Sequence, residues 1–168
     1  MPKIIENLEE RLMEEARLQA EKNGYSAVTV RSVAEACGVG VGTVYNYYPS
    51  KDALLAAFLL KDWKDCIVRM TQAGETAASP EEGLQAVWLE LRAYLEEHAY
   101  IFHDAGAVSG FGSSVGKYHS LLRQQLSKPL RPFCPDDFTA QFVSEAMLTW
   151  SAEGMSFADL CPVLKKIL

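Results

Sequence analysis

The stretch from Thr29 to Lys51, T-V-R-S-V-A-E-A-C-G-V-G-V-G-T-V-Y-N-Y-Y-P-S-K, constrains the fold more than any other part of the chain. Val33, Cys37, Val39, Val44 and Tyr47 are spaced to pack two short helices at a steep angle over a preceding one. Ala34 is small where the two helices would approach closely, and Gly38 falls at the turn, where a positive φ is often required. Thr29 is a good N-cap for a helix over Val30 to Cys37. A second helix over Val41 to Tyr48 is stopped by Pro49. Small, apolar and glycine positions coincide here, and together they predict a helix-turn-helix.

The same residues carry a chemical pattern. Gly40 sits at the N-cap of the second helix and Gly42 in its first turn, so bare backbone lies where another molecule would approach. A helix start presents unpaired N–H groups and partial positive charge, which suits an anion. Tyr45, Tyr47 and Tyr48 follow at once. A phenolic O–H can bond a phosphate oxygen, and its ring can lie against sugar or a thymine methyl. Tyr48 is read as core because of its apolar neighbours. Thr43 and Tyr45 are read as exposed contact residues, and Tyr47 is ambiguous between packing and contact. Lys51 in the first turn of the next helix opposes the helix dipole, which makes sense if it faces phosphate.

The remainder reads as helix throughout, with no strand and no repeat. Ile5, Leu8, Leu12, Ala16 and Ala20 mark one face of a first helix ended by Asn23-Gly24. Ser50 caps a helix from Lys51 to about Thr71, and Q-A-G-E-T-A-A-S-P reads as a linker. A stripe at Leu84, Val87, Trp88, Leu91, Leu95 and His98 marks a helix from about Pro80. The glycine-rich segment 104–116 reads as a break, followed by a helix over Val115 to Leu126. S-K-P-L-R-P-F-C-P-D holds three prolines and reads as a loop. Phe138, Phe142, Ala146 and Trp150 stripe the next helix, Asp136 to Glu153. Phe157, Leu160, Leu164, Ile167 and Leu168 mark the last, with a kink at Pro162. The class is all-α: a three-helix unit over residues 1–50 joined to a helical bundle over 51–168.

A net charge of −6 argues against a phosphate-binding partner at first sight. The acids, however, concentrate on the first helix (Glu6, Glu9, Glu10, Glu14, Glu15 and Glu21), and none lies between Ala36 and Lys51. The contact surface is therefore neutral to basic and leans on backbone N–H and hydroxyl groups, so salt dependence should be shallow. No run of eighteen apolar residues exists to span a membrane, and no signal-peptide pattern opens the chain. Cys37, Cys66, Cys134 and Cys161 are unpatterned, which fits a reduced cytoplasmic compartment without metal or disulfide. His98, His103, Asp104 and His119 offer no i, i+4 pair, so no metal is expected. No nucleophile elbow, phosphate loop or paired carboxylate motif occurs, and neither catalysis nor a cofactor is expected.

T-V-R-S-V-A-E-A-C-G-V-G-V-G-T-V-Y-N-Y-Y-P-S-K-D-A-L-L resembles the DNA-binding signature of the TetR family of bacterial transcriptional regulators, and the match spans about Ala16 to Leu55. W-S-A-E-G-M-S-F is similar to the junction before that family's last helix. The resemblance implies a homodimer whose third helices enter the major groove of a palindromic operator. It implies an unidentified small-molecule effector in the bundle, and most often repression. By position it assigns Thr29 and Arg31 to phosphate, with an occasional base contact. Gly40, Val41, Gly42 and Asn46 fall on the reading surface, and Thr43, Tyr45, Tyr47 and Lys51 at backbone contacts. Ser32 stands where the family often has Asp, which weakens the expected capping box, and Gly40 stands where it often has Ser. Arg31 and Asn46 remain as the polar readers.

Candidate effector-pocket residues are Trp63, Arg92, His98, Phe102, His103, Tyr118 and His119, which mix rings with a few polar groups. Against this, Trp63, Trp88 and Trp150 also suit a core, and Arg92 among Glu90, Glu96 and Glu97 also suits a solvated face. By the same resemblance Phe138, Phe142, Trp150, Phe157 and Leu164 are divided between dimer contact and core. The alternative function is a helical small-molecule-binding or interaction module that has lost sequence-specific DNA binding.

Overall fold

The structure, a computed structural model, describes residues 7–104 and 115–168, with side chains from residue 120 onward in the second stretch. All regular structure among the described residues is helical. In chain order come α1 (Leu8–Asn23), a 3-10 turn (Tyr25–Ala27), α2 (Val30–Cys37), α3 (Val41–Tyr47), α4 (Lys51–Glu75), α5 (Pro80–Glu97) and α6 (Ala99–Phe102). Then follow α7 (Val115–Leu130), a second 3-10 turn (Arg131–Phe133), α8 (Asp137–Ala152) and α9 (Phe157–Leu164). The chain divides into two compact units. One holds the described residues to Asp62 together with 98–104, and the other holds Trp63–Glu97 with 115–168.

The first unit is organised around the buried face of α1. Leu12, Ala16 and Ala20 are wholly buried there, against Val28, Val33, Ala34 and Val44 from the elements that follow. Ile5, expected to extend this face, lies outside the described residues. Alanines at two of these positions let α2 come close, which a larger side chain would prevent. Residues 98–104 join this unit through the buried Ile101 and through polar contacts. His98 is fully buried, with Nε2 2.9 Å from Asp62 Oδ2, and Arg17 Nη1 lies 3.6 Å from the same oxygen. Serving both neighbours, one carboxylate ties α1, α4 and the start of 98–104 inside this unit.

In the second unit α7 and α8 lie side by side and α5 packs against both. Its core gathers Trp63, Met70, Leu84, Val87, Trp88, Leu91, Leu126, Leu130, Val143 and Met147. Two sequence expectations change here. α4 runs on to Glu75, through the segment read as a linker. α7 runs through Pro129 to Leu130 rather than ending at Leu126. Leu126 and Leu130 are both fully buried one turn apart, so core packing holds the helix past a residue that removes one hydrogen bond. The three prolines read as an open loop therefore occupy a helix end, a 3-10 turn and the short link before α8.

The aromatic stripe of α8 is turned outward. Its buried face is Ala140, Val143, Ser144, Met147, Leu148 and Ser151. Phe138, Phe142 and Trp150 are 78%, 53% and 43% exposed, so Trp150 is not core. Trp88 is buried, and its ring meets that of Phe157 at 6.1 Å.

Phe133, in the second 3-10 turn, explains a glycine of α5. A Cβ on Gly83 would stand 2.2 Å from the Phe133 ring, and one on Gly74 would stand 3.2 Å from it. Gly83→Ala should lower stability by about 1–3 kcal/mol through overpacking, read as a fall in Tm. In a Phe133→Leu background the same change should be neutral or stabilising, because only its helix propensity remains.

Candidate nucleic-acid interface

The interface is built from the turn upward. Gly38 adopts φ 70°, ψ 32°, the left-handed conformation that glycine takes without strain. Around it Val39 N–H donates to the Ala34 carbonyl at 3.0 Å and Gly38 N–H to that of Glu35 at 3.1 Å. This is a Schellman ending for α2. Arg11 on α1 donates to the Cys37 carbonyl at 3.2 Å, placing a cation at the negative end of α2.

At the other end of α2, Thr29 and Ser32 form a complete capping box. Ser32 N–H donates to Thr29 Oγ1 at 3.0 Å, and Thr29 N–H donates to Ser32 Oγ at 3.1 Å. The expectation of a weakened box is thus corrected. Serine is long enough to return the bond, and its hydroxyl also donates to Gln19 Oε1 at 2.6 Å, tying the cap to α1.

α3 has one buried side chain, Val44. Tyr45 and Tyr47 are 51% and 46% exposed, and Gly40, Gly42 and Asn46 are exposed with them. Thr43 and Val41 are half-buried, while Thr29 and Arg31 are exposed at the start of α2. Tyr48 closes the core, where burial pushes its hydroxyl up to about 12. The exposed face therefore carries hydroxyls, an amide and one guanidinium, and no acid stands on α3. Neither Gly40 nor Gly42 has a positive φ, and a Cβ on Gly42 would meet nothing within 4 Å. Nothing among the described residues requires Gly42 to be glycine.

Four acids of α1, Glu10, Glu14, Glu15 and Glu21, are engaged locally. Glu10 pairs with Lys61 at 2.7 Å, which lowers the pKa of its carboxyl. Glu21 pairs with Arg17 at 3.1 Å, and Glu15 accepts from Gln19 at 2.8 Å. Lys51 is half-buried, its Nζ donating to the Tyr25 carbonyl at 3.0 Å. Sequence reasoning missed Tyr25 and Gln19 as supports. An aromatic residue placed directly after the helix-ending Gly24 was the available signal for the first.

The pocket candidates fall in both units. Trp63 is fully buried in the second unit, edge-on to Tyr94 with centroids 5.1 Å apart. Its indole N–H finds no hydrogen-bond partner among the described residues. Arg92 donates to the Ser151 carbonyl at 2.8 Å and pairs with Glu96 at 2.9 Å, so it braces the end of α8. His98, Phe102 and His103 belong to the first unit. The side chains of Tyr118 and His119 lie outside the described residues, as does nearly all of the glycine-rich segment 104–116. Leu164 is buried within the second unit's core, and Phe157 packs half-buried against it. Cys66 is buried, which pushes its thiol up to about 12, far from a reactive thiolate.

Residues 12–58, which contain this turn and its supports, match the pattern of "Bacterial regulatory proteins, tetR family". The transcriptional repressor KstR of Mycobacterium tuberculosis is 30% identical over 166 residues, covering 89% of this chain and 74% of the relative. The chain belongs to the tetR family. KstR of Mycolicibacterium smegmatis is 26% identical over 89% of this chain and 79% of its own. Among solved structures, the TetR family repressor AlkX from Dietzia superposes with a TM-score of 0.63 at 13% identity, over 94% of this chain and 98% of that one. As a tetR-family protein the chain is a DNA-binding transcriptional regulator, and its helix-turn-helix with the helical bundle is the family fold.

For this tetR-family reader, Gly42→Ala separates folding from binding. Relief of glycine's backbone entropy should raise stability by up to about 1 kcal/mol. The added methyl on the exposed face should weaken DNA binding about tenfold, or about 1.4 kcal/mol. A thermal melt and a fluorescence-anisotropy titration with duplex DNA on the same preparation check both signs.

Proposed function

We propose that the protein is a dimeric repressor that holds a palindromic operator through α3 and releases it when a small apolar molecule binds the second unit. The observation that carries the reading is the face of α3: Tyr45, Asn46 and Tyr47 stand exposed on a helix anchored by buried Val44 and half-buried Val41. Such a face has no folding purpose, and its groups are those that bond phosphate and base edges. Arg31 and Asn46 serve as the polar readers. Thr29, Thr43, Tyr45, Tyr47 and Lys51 serve the backbone, while Gly40, Val41 and Gly42 allow close approach. Residues 1–50 form the DNA-binding domain and 51–168 the effector and dimerisation domain. The protein acts in the bacterial cytoplasm.

The second copy is supported by Phe138, Phe142 and Trp150, a row of large apolar side chains exposed on α8. Leu164 serves the protomer core and Phe157 lies at its margin. A dimer places two α3 helices on half-sites one helical turn apart, roughly 34–36 Å. An effector moves this equilibrium only by preferring one dimer geometry over the other. Trp63 supports an effector bearing one hydrogen-bond acceptor, because its buried N–H lacks a partner among the described residues.

Phe142→Glu should convert the dimer to monomer in sedimentation while leaving the helical circular-dichroism spectrum intact, and should abolish tight operator binding. A Phe142→Glu protein that remains dimeric and binds DNA like the parent would remove α8 from the interface.

A further inference from the structure

The 3-10 turn at Tyr25–Ala27 meets the start of α4 through three contacts made by one residue. Lys51 Nζ donates to the Tyr25 carbonyl at 3.0 Å. The same ammonium lies over the Tyr25 ring, 3.9 Å from its centroid. The Tyr25 hydroxyl donates to Asp52 Oδ1. Tyr25 is itself buried, so the ring is a fixed platform rather than a mobile surface group. The turn is held from its other side by Asp104, whose carboxylate accepts from Ser26 N–H at 3.4 Å and from Ser26 Oγ at 3.0 Å.

This arrangement has an electrostatic logic. Lys51 and Asp52 are adjacent in the first turn of α4. A carboxylate beside a phosphate-binding lysine would compete for the ammonium and repel the phosphate. The Tyr25 hydroxyl engages Asp52 and its ring faces Lys51, so one side chain holds the two charges in different directions. A lysine side chain otherwise samples many rotamers, and immobilising it on binding is unfavourable. Held by a carbonyl and a ring, Lys51 has already lost much of that freedom, and its two remaining N–H bonds can serve a phosphate. Burial, then the hydrogen bond to the Asp52 carboxylate, raises the Tyr25 hydroxyl far above its ordinary range, so it stays a donor throughout.

We propose that Tyr25 is a positioning residue for DNA binding, which presents the Lys51 ammonium to a phosphate and holds the Asp52 carboxylate away from it. The proposal rests on the reading of Lys51 as a phosphate contact, and it adds a residue that itself need not touch DNA.

Phosphate contact does not depend on sequence, so the test uses the full-length protein and a random-sequence duplex of about 30 base pairs, titrated across a series of salt concentrations from about 50 mM upward. Lys51→Ala should flatten the slope of log affinity against log salt by about 0.9, the share of one phosphate. Tyr25→Leu should flatten it equally, weaken binding about three- to tenfold, and add nothing in the Lys51→Ala background. A full slope in folded Tyr25→Leu, or losses that add in the double variant, overturns the proposal. Tyr25→Phe fills the same core volume and keeps the ring, so it covers the case in which Tyr25→Leu does not fold. It should weaken binding a few-fold through the released Asp52, and Asp52→Asn should restore it. Parental affinity in Tyr25→Phe, or no recovery with Asp52→Asn, counts against the proposal. An unchanged slope in Lys51→Ala fails the phosphate contact itself and takes the proposal with it. An unchanged slope in Tyr25→Leu alone fails only the positioning role.

Discussion

The left-handed backbone at Gly38 is the constraint on which the reading surface depends. It lets α2 end in a Schellman turn and α3 begin at Val41, with the direction of α3 fixed by Val44 in the core. A residue with a Cβ would be strained at that φ. With α3 placed by one glycine, buried Val44 and half-buried Val41, its exposed side chains need no packing role. They are exposed hydroxyls, an amide and glycine backbone, which is what a phosphate-and-groove partner recognises. The supports lie behind it: Thr29 and Ser32 close the start of α2, Arg11 closes its end, and Tyr25 fixes the start of α4.

Charge is arranged to the same end. An acidic protein binds DNA poorly unless its acids are kept from the contact surface. Here Glu10, Glu14 and Glu21 of α1 are held in pairs with Lys61 and Arg17, and Asp52 is engaged by Tyr25. On the proposed reading, binding rests on a few well-placed groups rather than on a broad positive field, which limits attraction to arbitrary DNA.

Local signals were legible in the sequence and tertiary ones were not. The ends of α2 follow from Thr29 and Gly38, both of which act within a few residues, and the structure has the helix between them as read. α7 passes Pro129 because Leu126 and Leu130 are drawn into a core formed by distant helices, which no local rule contains. The stripe of α8 shows a second limit. Periodicity identifies a face, but here Val143 and Met147 point inward and the larger aromatic row points out, so of the two places open to Trp150 the protomer core is not the one it takes. The pocket candidates were gathered by residue type. Arg92 meets the Ser151 carbonyl and His98 meets Asp62, partners that only the fold brings near.

The central claim is that the exposed face of α3 reads DNA sequence as part of a dimer. Selection of random duplex DNA by the purified protein at moderate salt tests it most directly. The account predicts enrichment of a palindrome with half-sites about one helical turn apart. No enrichment from protein shown to be folded and dimeric would contradict it and leave the helical bundle as the functional part.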